Sequence, residues 1–278
     1  MITDKTTQEE RFAAEEAFHD DWADNTAVEQ IDVVLMNESI TAPEMRHITK
    51  TLGDLHGRSL LDVGCGLGEA SVYFALRGAD VTATDISGGM LRATQRLADR
   101  YDVKLRTHKS TAEDLAFRQE ERFDVVYVGN LFHHVEIEPT LENIKQVMKS
   151  DSTLVSWDPV HYNPIINIYR RMAMDVRTED EHPFRRRDVA LFRKHFAEVN
   201  VRFYWLTTLV IFMLMYVVQM RNPNEVRFWK KVVEEGDKWA WLYRPLAALD
   251  RVLLTIFPFL GWLCWNVVIE AKHPISSK

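Results

Sequence analysis

The spacing of apolar and polar positions predicts helices at the start of the chain. In EERFAAEEAFHDDWADN, Phe18 and Trp22 are four residues apart and share one face of a predicted helix. The segment TAPEMRHITKTLGDLHG predicts a second helix, in which Thr41 and Glu44 have the spacing of a capping box. We therefore expect residues 1–56 to form an N-terminal helical cap.

From residue 57 the pattern changes to short β-rich runs separated by helical periodicity. The runs are SLLDVGCG, ADVTATDIS, VKLRTHKS, FDVVYVGN and STLVSWDPV, with EASVYFALRG, GGMLRATQRLADRY and PTLENIKQVMKS between them. Such alternation predicts βαβ units and a parallel sheet with both faces covered. Right-handed crossovers then bring the carboxyl ends of the strands to one edge, where ligands bind in this class of fold.

Two runs of eighteen uncharged residues stand out in the last third of the chain. They are FYWLTTLVIFMLMYVVQM at 203–220 and VLLTIFPFLGWLCWNVVI at 252–269. Eighteen residues is about the lower limit for a helix that spans a bilayer. The mean hydropathy of −0.22 argues against a protein with several membrane spans.

Composition and charge limit the functional classes. Residues 1–58 hold thirteen acidic and five basic side chains, a net charge of −8, whereas the whole chain carries −7. The remainder is thus close to neutral, which excludes a nucleic-acid binder that works by a basic surface. Cys65 and Cys264 are too few for a disulfide framework and lack metal-ligand spacing. The polar N-terminus shows no secretory signal, so we expect a cytoplasmic protein.

The segment LLDVGCGLGEA carries the clearest chemical signal. An apolar strand leads into Gly64, Gly66 and Gly68, and a helix follows, which favours a ligand that approaches the main chain at the positive end of a helix. The dinucleotide fingerprint requires a third small residue at the position that Glu69 occupies, so NAD is disfavoured. Asp85 ends the next strand, where a carboxylate can accept both ribose hydroxyls of a nucleoside.

These motifs, together with HKSTAEDLAF, FDVVYVGNLFHHV and STLVSWDP, resemble the class I S-adenosylmethionine (SAM)-dependent methyltransferase family over about residues 57–160. The resemblance implies SAM as cofactor, with ribose held by Asp85, adenine beside Ile86 and Met90, and the methionine amino group near Asn130. It implies a cofactor-binding set of Asp62, Gly64, Gly66, Gly68, Asp85, Ile86, Met90, Glu113, Asp114 and Asn130. It also implies a Rossmann-like, seven-stranded, mostly parallel sheet with an antiparallel strand 7.

Methyl transfer to a hydroxyl or an acidic carbon needs a base, and several candidates follow strands four and five. His133 and His134 follow strand four, and His161 follows strand five. In RTEDEHP, Glu181 and His182 are candidates for a substrate lid, whereas a solvated loop is the alternative. No set with metal-ligand spacing is evident, so we expect no metal site.

The resemblance divides each long apolar run into a strand and something else. Strand six is expected within 199–207 and strand seven within 263–271, so that residues 57–207 and 263–273 form the core and 208–262 a helical insertion. Neither remaining apolar piece is long enough to span a bilayer. Trp, Tyr, Lys and Arg beside apolar segments are typical of membrane interfaces. The insertion is thus either a cap that docks on the inner face of the membrane or a lid that folds back on the enzyme.

The sequence therefore predicts a SAM-dependent methyltransferase with a lipophilic acceptor, such as a quinone precursor, a polyprenyl or polyketide phenol, or a lipid. Expected partners are this small molecule and a peripheral membrane surface, with no nucleic acid. The alternatives are a relative that uses SAM for other chemistry, a non-catalytic SAM-binding subunit and, least favoured, an NAD-linked oxidoreductase. The oligomeric state stays open.

Overall fold

The computed structural model describes residues 2–118, 121–172, 181–222 and 224–275 of the chain. Its strands are β1 (Ser59–Val63), β2 (Asp80–Asp85), β3 (Arg106–Lys109), β4 (Phe123–Gly129), β5 (Met148–Pro159), β6 (Phe196–Tyr204) and β7 (Asn266–Pro274). They form one sheet in the order β3-β2-β1-β4-β5-β7-β6. The first five strands are parallel, and β7 pairs antiparallel with both β5 and β6.

Eleven α-helices belong to the described residues. They are α1 (Ile2–Asp24), α2 (Val33–Glu38), α3 (Pro43–Leu52), α4 (Glu69–Leu76), α5 (Gly88–Arg100), α6 (Ile137–Val147), α7 (Pro164–Met172), α8 (Arg186–His195), α9 (Val210–Val217), α10 (Phe228–Glu234) and α11 (Gly236–Ile256). A 3-10 helix, Pro258–Leu263, leads into β7. The predicted Rossmann-like α/β fold is confirmed, with its antiparallel last strand, its N-terminal helices and its helical insertion.

The strands are apolar on both faces because each face contacts a different core. Side chains alternate along a strand, so neighbouring residues point to opposite sides of the sheet. Leu61 and Val126 pack in one cluster with residues of α6 and α8. Leu60 and Val125 pack in another with residues of α3, α4 and α5. The continuous apolar runs of the sequence thus reflect burial from both sides.

Strands β6 and β7 are each shifted from their expected positions. β6 ends at Tyr204 because Trp205 takes a left-handed backbone conformation with φ of 69°. The N–H groups of Leu206 and Thr207 then donate to the Asp250 carboxylate of α11, which caps the turn out of the sheet. The connection between the two strands is therefore longer than predicted at both ends.

The insertion between β6 and β7 has a core of its own. Trp205, Phe212, Phe228 and Trp239 are buried together and pack against Ile166 of α7. None of the helices in the four described ranges is long and apolar enough to cross a membrane. The prediction that 203–220 and 252–269 each combine a strand with another element is confirmed, because the first contains the end of β6 and α9 and the second contains the end of α11 and the start of β7.

One prediction about α3 is wrong. The N-cap of α3 is Ala42, and no side chain caps its N-terminus. The Thr41 hydroxyl donates instead to the Val232 carbonyl of α10 at 2.8 Å, and Glu44 binds Asn266 of β7. Tertiary partners outcompete the local capping box because both side chains are buried.

Candidate active site

The loop after β1 turns sharply because its glycines hold left-handed backbone angles. The φ angles of Gly64, Gly66 and Gly68 are 73°, 54° and 87°. The N–H groups of Gly64 and Cys65 both donate to the Thr84 carbonyl oxygen at 2.8 Å. Since Thr84 lies next to the end of β2, these bonds fix the loop at the carboxyl edge of the sheet.

The three glycines differ in their surroundings. A Cβ atom on Gly64 would come within 2.8 Å of the Leu131 side chain, and one on Gly68 within 2.7 Å of the Thr94 side chain. No atom would lie within 4 Å of a Cβ on Gly66. Gly66 therefore leaves room for a ligand to approach the main chain, whereas Gly68 lets α4 pack closely against α5.

Asp85 is a buried acceptor at the end of β2. Its carboxylate accepts hydrogen bonds from the N–H groups of Gly66 and Ser87, both at 2.9 Å. Burial raises the pKa of Asp85. The two backbone bonds orient the carboxylate beside the glycine loop, as a group that accepts ribose hydroxyls requires.

Asp62 lies inside the same edge, in β1. One carboxylate oxygen accepts a hydrogen bond from the Ser71 hydroxyl at 2.5 Å, and burial raises the pKa of Asp62 to about 7. The other oxygen is buried and has no partner among the described residues. A buried acceptor of this kind needs a donor, and the amino group of a methionine moiety supplies one. Asp62 and the glycine loop thus fit SAM.

Helix α1 forms one wall of the site. The Asp20 carboxylate accepts from the Ser87 hydroxyl and from the Gly89 N–H at 2.7 Å, and these two bonds lower the pKa of Asp20. Arg11 donates to the Glu113 carboxylate at 2.9 Å. Because α1 is joined to the N-terminus of α5 and to the loop after β3, its inner face closes over the cofactor end of the cavity. The cavity-lining residues of α1 are Arg11, Phe12, Glu15, Phe18, His19 and Trp22.

His133 and Asp158 form a buried pair between the ends of β4 and β5. The His133 Nδ1 lies 2.9 Å from Asp158 Oδ1, which also accepts the His133 N–H at 3.2 Å. Burial raises the pKa of Asp158, and backbone hydrogen bonds from His133 and Phe132 oppose the rise. A carboxylate on Nδ1 fixes the ring orientation and favours the tautomer whose Nε2 accepts a proton.

Two more of the predicted catalytic residues, His134 and Glu181, lie close to His133. The ligand atoms of His133, His134 and Glu181 lie within 4.8 Å of one another, which is a spacing that can hold a metal ion. His134 Nδ1 is also 3.5 Å from the Glu15 carboxylate of α1. The expectation of no metal site rested on sequence spacing alone, whereas this set comes together from two loops, one after β4 and one before α8.

The predicted site residues divide into two groups, those that line the cavity and those that do not. Those that line the cavity with the glycine loop are Asp62, Gly64, Gly66, Asp85, Ile86, Glu113, Asn130, His133, His134 and Glu181. Those that lie outside its lining are Gly68, Met90, Asp114, His161 and His182.

The residues outside the lining have other contacts. Met90 is fully buried in a cluster with Leu67, which itself lines the cavity. Asp114 and His182 are exposed. Burial lowers the pKa of His161, with Arg185 and Arg170 acting in the same direction. Of RTEDEHP, residues 177–180 lie outside the described residues.

The cavity extends well beyond the cofactor end. Its volume is about 340 Å³, within the range of small-molecule sites. The far end is walled by aromatic side chains from β4, β5, α7 and the insertion, and by two buried polar residues. They are Tyr127, Trp157, Tyr169, Trp205, Trp265, Glu44 and Asn266. We call this the acceptor end.

The sequence pattern did not reveal the acceptor end. The sequence pattern predicts a helix cap for Glu44 and a position within strand seven, 263–271, for Asn266. The tryptophans were interpreted as a membrane-facing feature, although Trp205 is 2% exposed. Arg227, the N-cap of α10, and Lys230 of α10 also line the cavity. Both contact the cofactor end. The Arg227 guanidinium stacks 3.5 Å from the Trp22 ring centroid, and Lys230 Nζ lies 2.5 Å from the Glu69 carboxylate. The density of tryptophan in the insertion was the one available signal.

A sheet of this order, with a glycine loop after β1 and a carboxylate at the end of β2, defines the class I SAM-dependent methyltransferase fold. Residues 61–156 match the family described as a methyltransferase domain. That part of the chain is therefore a class I methyltransferase domain, and the predictions of a methyltransferase and of SAM as its cofactor are confirmed at the level of the domain.

Comparison with curated proteins identifies relatives of the domain. The chain is 38% identical over 89 residues to the ubiquinone biosynthesis O-methyltransferase of Alkalilimnicola ehrlichii, covering 32% of this chain and 36% of that protein. It is 42% identical over 82 residues to the protein of the same name in Pseudomonas syringae pv. tomato, covering 30% and 35%. The chain thus spans about a third of the length of these curated relatives.

Solved structures extend the likeness of fold beyond the domain. Haemonchus contortus phosphoethanolamine N-methyltransferase 2 has a TM-score of 0.55 at 13% identity, covering 84% of this chain and 52% of that one. Geranyl diphosphate methyltransferase has a TM-score of 0.54 at 15% identity, covering 82% and 76%. At these identities the likeness concerns the fold alone.

Proposed function

We propose that the protein transfers the methyl group of SAM to a lipophilic acceptor. The observation that carries the proposal is the continuity of the cavity from Gly66 and Asp85 to the aromatic acceptor end. A cofactor held at one end and an apolar molecule at the other would meet within one enclosed space. Enclosure of this kind orients two reactants and excludes water from the transfer.

The residues of the chain have separate roles in this reaction. Bound SAM supplies a methyl group already activated by its sulfonium. Asp85 binds the ribose hydroxyls, the unpartnered oxygen of Asp62 accepts from the methionine amino group, and Gly66 lets the cofactor lie against the main chain. These contacts leave the protein with the task of aligning the acceptor and removing its proton.

We propose that His133 is the base that removes the proton from the methyl acceptor. During transfer of the methyl group from the SAM sulfur to the acceptor atom, His133 Nε2 would take the acceptor proton, and Asp158 would stabilise the imidazolium through Nδ1. The products would be S-adenosylhomocysteine and the methylated acceptor. A metal ion on His133, His134 and Glu181 is the alternative way to activate the acceptor. Loss of turnover in EDTA and its return with Zn²⁺ or Mn²⁺ would favour the metal.

The lipophilic character of the acceptor is inferred from the walls of its site. Trp157, Trp205 and Trp265 present large apolar surfaces to the cavity, and aromatic walls favour apolar or aromatic ligands. The curated relatives of the domain are named for ubiquinone biosynthesis. A quinone precursor or another long-chain phenol is therefore the acceptor class that we propose.

We further propose that the insertion docks on a membrane surface, from which such a molecule would be drawn. Large apolar side chains are exposed after α9 and at the end of α11. They are Val217, Val218, Met220, Val252, Ile256 and Phe259, which are between 53% and 83% exposed. Exposed aliphatic and aromatic residues next to the exposed Arg251 suit the interface of an anionic bilayer.

Analysis of the reaction products tests the proposed methyl transfer. Incubation with SAM and extracted quinone precursors should give a product heavier by one methylene and an equal amount of S-adenosylhomocysteine. Turnover of SAM without a methylated product would point to different chemistry, and SAM binding without turnover to a non-catalytic subunit.

Flotation with anionic liposomes tests the docking surface. We expect the wild-type protein to float and the triple variant Val218→Ser, Met220→Ser, Phe259→Ser to remain in the soluble fraction. The control is Val34→Ser with Leu76→Ser, which removes exposed apolar side chains from α2 and α4. Equal behaviour of the wild-type protein and the triple variant would contradict membrane docking.

A further inference from the structure

The acceptor end contains a carboxylate and an amide that are both buried. Glu44, in the first turn of α3, is 6% exposed, and Asn266, the first residue of β7, is 2% exposed. The Asn266 Nδ2 donates to Glu44 Oε1 at 2.7 Å. Both residues line the cavity. A pair of polar side chains in a wall of tryptophans needs an explanation, because burying such groups is unfavourable unless they are satisfied.

The topology of the sheet brings Asn266 to this position. Asn266 pairs with Pro159 of β5 and with Tyr204 of β6. Because β7 runs antiparallel to β5, the start of β7 lies at the same edge as the carboxyl ends of the parallel strands. The first residue of β7 thus meets the ligand-binding edge, and the rest of the strand runs away from it.

The hydrogen bond between the two side chains determines what they offer to a ligand. An ionised carboxylate only accepts, so the Asn266 atom facing Glu44 must be Nδ2 and the amide oxygen must point elsewhere. That Oδ1 atom is buried and has no partner among the described residues. Burial raises the pKa of Glu44 to about 7. The Glu44 carboxylate accepts hydrogen bonds from the side chains of Asn266 and Trp205, so the acceptor that needs a donor from a ligand is the Asn266 amide oxygen.

The neighbouring polar groups are already paired with each other. The Tyr127 hydroxyl accepts from Trp157 Nε1 at 2.9 Å and donates to Met45 Sδ at 3.2 Å. These groups complete the wall without calling on Glu44 or on the Asn266 amide oxygen. The Asn266 amide oxygen is thus the polar atom of this wall that needs a donor.

We propose that Asn266, oriented by its hydrogen bond to Glu44, recognises the methyl acceptor by accepting a hydrogen bond from an O–H or N–H group on its head. The inference rests on the proposed function and names the chemistry that selects its substrate. The two residues position the acceptor and set specificity, while the aromatic walls hold its apolar part. A site built to bind a hydroxyl rejects analogues that lack it, because its own polar groups are then left unpaired.

A purely structural role for the pair has a matched control within the same two elements. Glu270 of β7 accepts a hydrogen bond from Thr51 of α3 at 3.1 Å and is in contact with His47. Like the Glu44–Asn266 pair, this contact joins α3 to β7, but none of its residues lines the cavity. Glu270→Gln therefore reports on α3–β7 packing, whereas Glu44→Gln reports on packing and recognition together.

The test measures binding of three probes by calorimetry in saturating S-adenosylhomocysteine. The probes are hexylcatechol, hexylaniline and the dimethyl ether of hexylcatechol, which keeps the apolar body but has no donor. We expect the wild-type protein to bind one of the two donor probes at least about tenfold more tightly than the ether. Which of the two binds more tightly distinguishes a hydroxyl acceptor from an amine acceptor.

We expect Glu44→Gln to lose most of this preference and Glu270→Gln to keep it, with equal affinity for S-adenosylhomocysteine in all three proteins. Equal binding of the ether and both donor probes by the wild-type protein would overturn the inference, and so would an equal loss in both variants. The wild-type comparison needs no variant, so it decides even if Glu44→Gln does not fold. If the preference is present but no acceptor is methylated, the proposed function fails and the recognition site stands.

Discussion

The two ends of the cavity are built in different ways. The cofactor end consists mainly of main chain from one short segment, residues 62–69, together with Asp85. The acceptor end consists of side chains from distant segments: Glu44 of α3, Tyr127 of β4 and Asn266 of β7. The first is fixed by backbone angles that glycine alone adopts readily, and the second by packing between elements.

This difference determines which end of the cavity tolerates amino-acid substitutions. A backbone site loses its shape when a side chain is added, because a Cβ on Gly64 would overlap Leu131. A side-chain site keeps its fold when one polar group is exchanged for another of similar volume. Substitutions at the acceptor end should therefore change which molecule is methylated, and those at the cofactor end should abolish binding of SAM.

The largest expected effect concerns the point where the two ends meet. His133→Ala should lower kcat by about a hundredfold or more, because it removes the group that takes the proton. Binding of S-adenosylhomocysteine, measured by calorimetry, should stay within about threefold of wild type. His182→Ala should lose far less, since that exposed side chain does not line the cavity. A larger loss for His182 than for His133 would reverse this assignment and restore His182 as part of the substrate lid.

The next effect tests the cofactor end. Asp85→Asn should weaken S-adenosylhomocysteine binding by about ten- to a hundredfold, because the amide accepts from the ribose hydroxyls less strongly than the carboxylate. Asp114→Asn is the comparison, since Asp114 is exposed and lies outside the cavity lining whereas Glu113 is inside it. Equal losses in the two variants would place the adenine amine against Asp114 after all.

The third effect tests the acceptor end through stability. The pKa of Glu44 is about 7 in the folded protein against its usual 4.5. Since the folded pKa is the higher, this group contributes most stability below pH 4.5 and loses it as the pH rises towards 7. Glu44→Gln cannot ionise, so its free energy of unfolding relative to wild type should rise between pH 5 and pH 8, by at most about 3 kcal/mol.

Urea unfolding at pH 5 and pH 8 measures this difference. Asp62 shifts in the same direction, so both proteins retain its contribution and the comparison isolates Glu44. A constant difference between the two proteins over this range would mean that Glu44 stays ionised in the folded state.

The smallest effect concerns the bridge between the two ends. Lys230 of α10 pairs with Glu69 at the start of α4, and both side chains are less than a fifth exposed. Lys230→Gln should lower the free energy of unfolding by about 1 kcal/mol or less. Release of S-adenosylhomocysteine, followed by stopped-flow fluorescence, should become a few-fold faster because α10 no longer holds that side of the cavity. An unchanged release rate would mean that α10 closes on the acceptor alone.

The separation of contacting residues along the chain also explains which parts of the site could be predicted from the sequence. The placement of Gly64, Gly66 and Asp85 at one edge of the sheet could be predicted because it follows from strands, turns and a helix that are adjacent in the chain. Glu44 was misassigned because its spacing from Thr41 satisfies a local rule, while its true partner is 222 residues away. Asn266 carries no local signal, since only the antiparallel direction of β7 brings it to the ligand-binding edge.

The insertion was predicted in outline and not in detail. Its tryptophans suggested a membrane interface, but Trp205 and Trp239 are buried in its own core. Most of the exposed apolar residues of the insertion are instead aliphatic or methionine, although Trp241 is 72% exposed. Periodicity cannot separate these two sets, because a short apolar helix looks alike whether its faces meet protein, lipid or both.

The position of β7 in the sheet has a consequence for the order in which the site can form during synthesis. Most residues of the cofactor end lie before residue 135 and can fold against β1, β2 and β4 while the rest of the chain, including Arg227 and Lys230, is still being made. Asn266 enters only when β7 inserts between β5 and β6. A nascent chain would thus acquire its SAM-binding half first, and it could select an acceptor only after the final strand had closed the sheet.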